Sequence, residues 1–180
     1  MLKSFLFLAA LVIGNACAQA GSLAVDTEKS SLDVDVKATG HSFTVNIQAY
    51  HPEIVMSPEG KVESVSFSFS PKALKSDNAK RDKKMFGWLE VESHPQISFV
   101  MKDIEQDGMS GKLIGDLSLH GVTQQVEVPF TIDMADDTIT INGSSVVDYQ
   151  DFDLDIITMF FMKVHSEMNL SFSLVGSLES

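Results

Sequence analysis

The chain has 180 residues and carries 25 acidic against 13 basic side chains, a net charge of −12. A surface so acidic repels phosphate backbones and anionic headgroups, which makes nucleic acid a poor partner. One cysteine, Cys17, leaves no disulfide framework to hold the fold.

Residues 1–20, MLKSFLFLAALVIGNACAQA, place Lys3 before an apolar run from Phe5 to Ile13, then Ala18 and Ala20 around Gln19. That is the layout of a secretory signal peptide with an A-x-A cleavage site, so the mature chain is expected to begin at Gly21. The apolar run is too short to span a bilayer. Cys17 lacks the Leu three places upstream that a lipidation signal usually carries. No stable membrane insertion is therefore expected. Removing the leader takes away Lys3 and no acid, and leaves residues 21–180 free of cysteine. That length suits a single domain with a sizeable core.

From Leu23 onward apolar and polar residues alternate. Leu32, Val34 and Val36 alternate with Asp33, Asp35 and Lys37; Phe43, Val45, Ile47 and Ala49 alternate with Thr44, Asn46 and Gln48; Val65, Phe67 and Phe69 alternate with Ser64, Ser66, Ser68 and Ser70. Period two with one polar face marks antiparallel strands, wet on one side and buried on the other.

Ser76–Leu89 breaks that period. Met85, Phe86, Trp88 and Leu89 fall on one side of a helix, with Lys80, Arg81, Lys83 and Lys84 largely elsewhere. Ser76 or Asp77 is expected to cap its start, and Gly87 weakens it. The four cations, interleaved with Asp77 and Asp82, are read as a solvated face in preference to an anionic-headgroup site. Pro95 holds His94 extended and returns the chain to strand.

Alternation resumes at Ile97, Phe99 and Met101. It continues through Leu113–Leu119, Val126–Ile132, Ile139 and Ile141, and Leu170–Leu174, about eight strands in all. Turn signals stand at Ser57-Pro58-Glu59-Gly60, Asp107-Gly108, His120-Gly121, Asp136-Asp137 and Asn142-Gly143. Their short spacing favours hairpins over crossover helices, hence a closed barrel or a sandwich.

Chemistry is sparse. The acidic run Asp148–Asp155 fails as a calcium loop, because Ile156 stands where Gly is needed and Met162 where a bidentate acid is needed. Phe152, Leu154 and Ile156 instead suggest a strand with an acidic outer face. The five histidines form no H-x-H or H-x-x-x-H pair, so no metal site is expected. No Gly-x-Ser-x-Gly elbow, thiol nucleophile or glycine-rich phosphate loop occurs. No enzyme activity and no cofactor are expected.

The run KSDNAKRDKKMFGWLEVESHPQISF resembles the segment of YceI-like lipid- and polyisoprenoid-binding proteins in which a basic, Asp-containing stretch leads through a short helix to an x-Ile-x-Phe strand. GDLSLHGVTQQVEVPF (Gly115–Phe130), GHSF (Gly40–Phe43) and MNLSFSLVG (Met168–Gly176) are similar to further parts of the same family. The resemblance implies a lipocalin-like antiparallel β-barrel, usually of eight strands, exported to the periplasm, whose interior can hold an isoprenoid or acyl chain. At Met159–Lys163, MFFMK, this sequence has Phe161 where the family pattern carries Gly, which would narrow the pore or close its mouth.

Together these observations lead to an all-β fold with one short helix, a leader at residues 1–20 and one barrel domain at 21–180. The expected function is a carrier or storage protein for a long-chain lipid such as an isoprenoid. The residues expected to line its channel are Phe43, Val45, Phe67, Phe69, Met85, Trp88, Phe99, Leu117, Leu119, Phe160 and Phe172. They are chosen because alternation or the helix turns them inward. A filled barrel acting as an interaction or stress-response module is the competing expectation, and assembly as a homodimer stays open.

Overall fold

The computed structural model describes residues 20–159 and 162–179. Nearly all of the expected leader, together with Phe160 and Phe161, lies outside the described residues. In chain order the strands are β1 Gly21–Val25, β2 Ser31–Ala38, β3 His41–Ile47, β4 His51–Met56, β5 Val62–Phe69 and β6 Leu74–Lys75. Helix α1, Ala79–Trp88, follows, and then β7 Ile97–Asp107, β8 Ser110–Leu119, β9 Val122–Ala135, β10 Thr138–Asp148, β11 Thr158–Met159, β12 Met162–Lys163 and β13 Glu167–Leu178.

Strands β1, β4, β5, β7, β8, β9, β10 and β13 pair in that order, and β13 returns to β1. Every pair is antiparallel, which closes an eight-stranded barrel. Closure removes the exposed edges on which an open sheet aggregates.

Two barrel positions are each filled by two strands in series. Val25 of β1 lies opposite Gly176, and Ser31 of β2 opposite Ser173, so β1 and β2 run one after the other along β13. The break between them is sealed at Val175. Its carbonyl accepts from the Asp26 amide at 2.8 Å, and its amide donates to Ser30 Oγ at 2.9 Å. Strand β3 pairs with β2, and β4 with β1.

Alternation maps onto the pleat as expected for a barrel with one dry face. Two inward positions are glycine for a spatial reason. A Cβ on Gly115 would stand 2.4 Å from the Phe99 ring, and one on Gly143 would stand 2.4 Å from the Phe172 ring. Gly143 therefore lies inside β10, opposite both Phe130 and Phe172. Asn142-Gly143 is not a turn, contrary to its sequence signal: the glycine makes room for an aromatic ring on the next strand.

Two further expectations are corrected. The side chain that caps α1 is Asn78, whose Oδ1 accepts from the amides of Lys80 and Arg81, both at 3.1 Å. Ser76 instead donates its amide and hydroxyl to the buried Asp82 carboxylate at 3.0 and 2.6 Å, tying the helix to the preceding loop. The acidic run is no strand. Asp148 caps a 3₁₀ helix at Tyr149–Phe152, and Asp153 follows with φ 57°. Phe152 and Leu154 are buried there and Asp151, Asp153 and Asp155 are exposed, so the burial alternates without sheet pairing.

One end of the barrel carries α1, the 3₁₀ helix and the β8–β9 turn; the other carries the turns at Gly60, Gly108 and Asp136. The second end is packed solid. Leu23, Met56, Ile132 and Ile139 are all at most 6% exposed. Gln106 closes it off, donating to the Gly60 and Gly108 carbonyls and accepting from the Val62 amide at 3.0 Å.

A hollow apolar barrel as the candidate binding site

The remaining length of the barrel is hollow. A cavity of about 230 Å³ runs from the packed end towards α1. Close-packed interiors rarely leave a void much larger than a water molecule, which takes about 30 Å³ in the liquid. The wall consists of apolar side chains from β2–β10, α1 and β13; Ser66, Ser145 and Tyr149 border it with their hydroxyls bonded to Glu53, the Glu127 carbonyl and the Val164 carbonyl.

Of the side chains chosen from the sequence, Val45, Phe67, Phe69, Met85, Trp88, Phe99, Leu117, Leu119 and Phe172 border this cavity. Phe43 does not. It pairs with Val36 on the inner face near the rim, where the Arg81 guanidinium lies 3.9 Å above its ring and covers it. Phe160 lies outside the described residues. The wall also includes Leu113, Val126, Val128 and Phe130, which the same alternation had marked as buried. Tyr149 had no periodic signal, because it sits in the 3₁₀ helix.

The aromatic side chains brace one another. Phe67 lies 5.7 Å from Tyr50 and 5.4 Å from Phe69 between ring centroids, and Trp88 meets Tyr149 edge-on at 5.0 Å. These separations fall within the range in which offset and edge-to-face ring pairs attract. The Trp88 indole N–H donates to the Asp155 carbonyl at 2.9 Å, which fixes the C-terminal end of α1 over the hollow end. Tyr149 is 1% exposed, and its hydroxyl donates to the Val164 carbonyl at 3.4 Å. Burial pushes this phenol above the usual tyrosine range, so it stays neutral in the wall.

One cation of the basic face of α1, Arg81, is not simply solvated, since it covers Phe43. On β6, the Lys75 ammonium sits 5.2 Å from the Phe86 ring centroid. Phe86 faces this cation and not the cavity.

A closed antiparallel barrel with an apolar hollow and a helical cover is a lipocalin-like β-barrel architecture. The YceI-like domain model matches residues 23–176, and the chain belongs to that family. A UPF0312 protein of Pseudomonas savastanoi pv. phaseolicola is 26% identical over 171 residues, covering 81% of this chain and 85% of that protein. The chain spans about a third (35%) of the length of the UPF0312 protein of Pectobacterium carotovorum that it matches, at 29% identity. Among solved structures, Burkholderia cenocepacia BcnA superposes with a TM-score of 0.76 at 19% identity, covering 85% of this chain and 99% of that one. A polyisoprenoid-binding domain from Saccharophagus degradans superposes with a TM-score of 0.62 at 13% identity, covering 88% and 98%.

Proposed function

We propose that the protein is an exported, non-enzymatic binding protein that holds a long-chain isoprenoid or similar amphiphile in its barrel, working in the periplasm. The hollow interior is the observation that carries this. An unfilled core forgoes about 24 cal/mol for each Å³ of void, so a cavity of about 230 Å³ forgoes roughly 5 kcal/mol, comparable with the whole net stability of many domains. A filled-barrel module has no use for that sacrifice, whereas a lipid carrier does.

The wall supports the ligand class. It offers no charged group to a headgroup, so affinity comes from the tail, at about 0.8 kcal/mol for each methylene buried. Family membership and the Saccharophagus domain's isoprenoid binding point the same way. With one end packed solid, the tail enters at the end covered by α1, and the headgroup remains outside. The hydroxyls that border the cavity are engaged elsewhere, Ser66 with the Glu53 carboxylate at 2.9 Å on the exposed side, Ser145 with the Glu127 carbonyl and Tyr149 with the Val164 carbonyl, which favours storage or transport over turnover.

Native mass spectrometry of protein purified from its own host tests this. The expected result is polypeptide mass plus a bound species that extracts into organic solvent as a long-chain lipid. Bare polypeptide in every preparation, with an empty extract, would remove the proposal. Trp88 is the sole tryptophan, so its emission reports on this wall alone. Added long-chain lipid should shift it to shorter wavelength, and indifference to several such lipids counts against tail binding beside α1.

A further inference from the structure

Beyond the cavity, the fold brings together three side chains that the sequence spacing did not mark as a metal site. Glu90 and His94 lie in the turn that follows α1, and His120 lies in the β8–β9 turn. One donor atom from each falls within 4.8 Å of the others. We propose that Glu90, His94 and His120 form a binding site for a divalent transition metal, with zinc as its occupant.

His120 is the strongest element. Its Nδ1 lies 3.2 Å from the Phe152 carbonyl. A carbonyl only accepts, so Nδ1 carries the proton, and Nε2 presents a bare lone pair. That Nε2 is buried and has no hydrogen-bond partner among the described residues. A buried acceptor left alone is costly, and a metal ion satisfies it. Holding one imidazole nitrogen on a backbone carbonyl so that the other can ligate is the arrangement that orients metal-bound histidine.

The two turns hold the other donors in place. The Glu90 carbonyl accepts from the amides of Ser93 at 2.8 Å and His94 at 2.9 Å, a tight reversal that sets the two side chains together. His94 Nε2 stands 4.0 Å from Glu90 Oε2, and the two imidazole centroids are 4.4 Å apart. Donors around tetrahedral zinc lie about 3.3 Å apart, given bond lengths near 2.0–2.1 Å. With all three donors within 4.8 Å of one another, closing the remaining gaps takes at most about 1.5 Å, shared between rotation of a Glu90 side chain that is 60% exposed and small turns of the two imidazoles.

His120 and Gly121 join β8 to β9 with φ 53° and 77° at the two loop positions, a type I′ turn. The glycine serves the site directly, because a Cβ there would lie 2.9 Å from the His94 ring. Two imidazoles and one carboxylate suit zinc better than the hard cations, which prefer all-oxygen sets. The fourth position is left for water.

The test uses the mature chain, stripped with chelator and titrated with Zn²⁺ against a competing chromophoric chelator. Uptake of one zinc per chain is expected, with a rise in melting temperature. His120→Asn keeps a residue well suited to the type I′ turn while deleting the donor, so it folds. It should lose about 100-fold or more in affinity, as should His94→Gln, and Glu90→Gln should lose about tenfold. His51→Gln, at an exposed position on β4, should leave binding unchanged. No stoichiometric zinc on the parent, unaltered affinity in both His120→Asn and His94→Gln, or a loss confined to His51→Gln would each overturn the proposal. X-ray absorption of the zinc form should show two imidazole nitrogens, and a shell of oxygens alone would equally overturn it. The outcome does not depend on what the barrel holds.

Discussion

At the scale of single residues, the hollow is set by where side chains are missing as much as by where they stand. Gly143 and Gly115 let the rings of Phe172 and Phe99 lie across the neighbouring strands. Adding a methyl at position 143 drives it into the Phe172 ring and to 2.7 Å from the Pro129 carbonyl. Gly143→Ala should therefore destabilise the barrel by about 1–3 kcal/mol, the ordinary range for overpacking, and thermal melting will measure it. An unchanged melting temperature would mean that the ring moves freely and that the glycine is not needed. The same residue shows why sequence misleads locally: Asn-Gly is a strong turn signal, but here the dipeptide sits in the middle of β10. Only the opposing Phe172, far along the chain, explains the glycine, and single-sequence patterning carries no such pairing.

Among the elements, α1 stands apart from the strands, and the sequence revealed its existence and inner face better than its ends. Met85, Trp88 and Leu89 line the cavity as their helical spacing implies. The start was misplaced because Ser76, Asp77 and Asn78 are all good caps, and only Asn78 has its oxygen on the helix amides. Asn78→Ala should cost about 1 kcal/mol of stability by chemical denaturation, because two helix amides lose their acceptor. A change near zero would mean that the Ser76–Asp82 link alone holds the helix start. The acidic run failed differently. Its apolar residues alternate in burial, which looks like a strand, yet they belong to a 3₁₀ helix and the segment after it. Period two without a pairing partner is not a sheet.

For the whole molecule, an antiparallel all-β fold was legible because alternation recurs at nearly every strand and the turns between are short; that pattern left barrel and sandwich open, and the YceI-like resemblance implied the barrel. The cavity was not, since volume depends on how all inward side chains meet at once. Both tyrosines of the chain, Tyr50 and Tyr149, are buried, and burial pushes both phenols above the usual range. In the unfolded chain they ionise near pH 10. Their contribution is thus fully present below about pH 10 and is lost as pH rises through the higher folded values, where the unfolded state has already released protons. Denaturation midpoints should fall above about pH 10, and phenolate absorbance of the folded protein should rise later than that of free tyrosine. Coincident titration of folded and free phenols would contradict the burial. A last consequence comes from the seam between β1 and β13. It joins Leu23–Val25 to Gly176–Leu178, the two most distant stretches of the fold. A chain emerging from the ribosome therefore cannot seal its barrel until its final strand has been made, and until then the apolar interior has no complete wall. Sequence-distant pairing of this kind also makes folding slow, because the whole intervening loop must close before the contact rewards it.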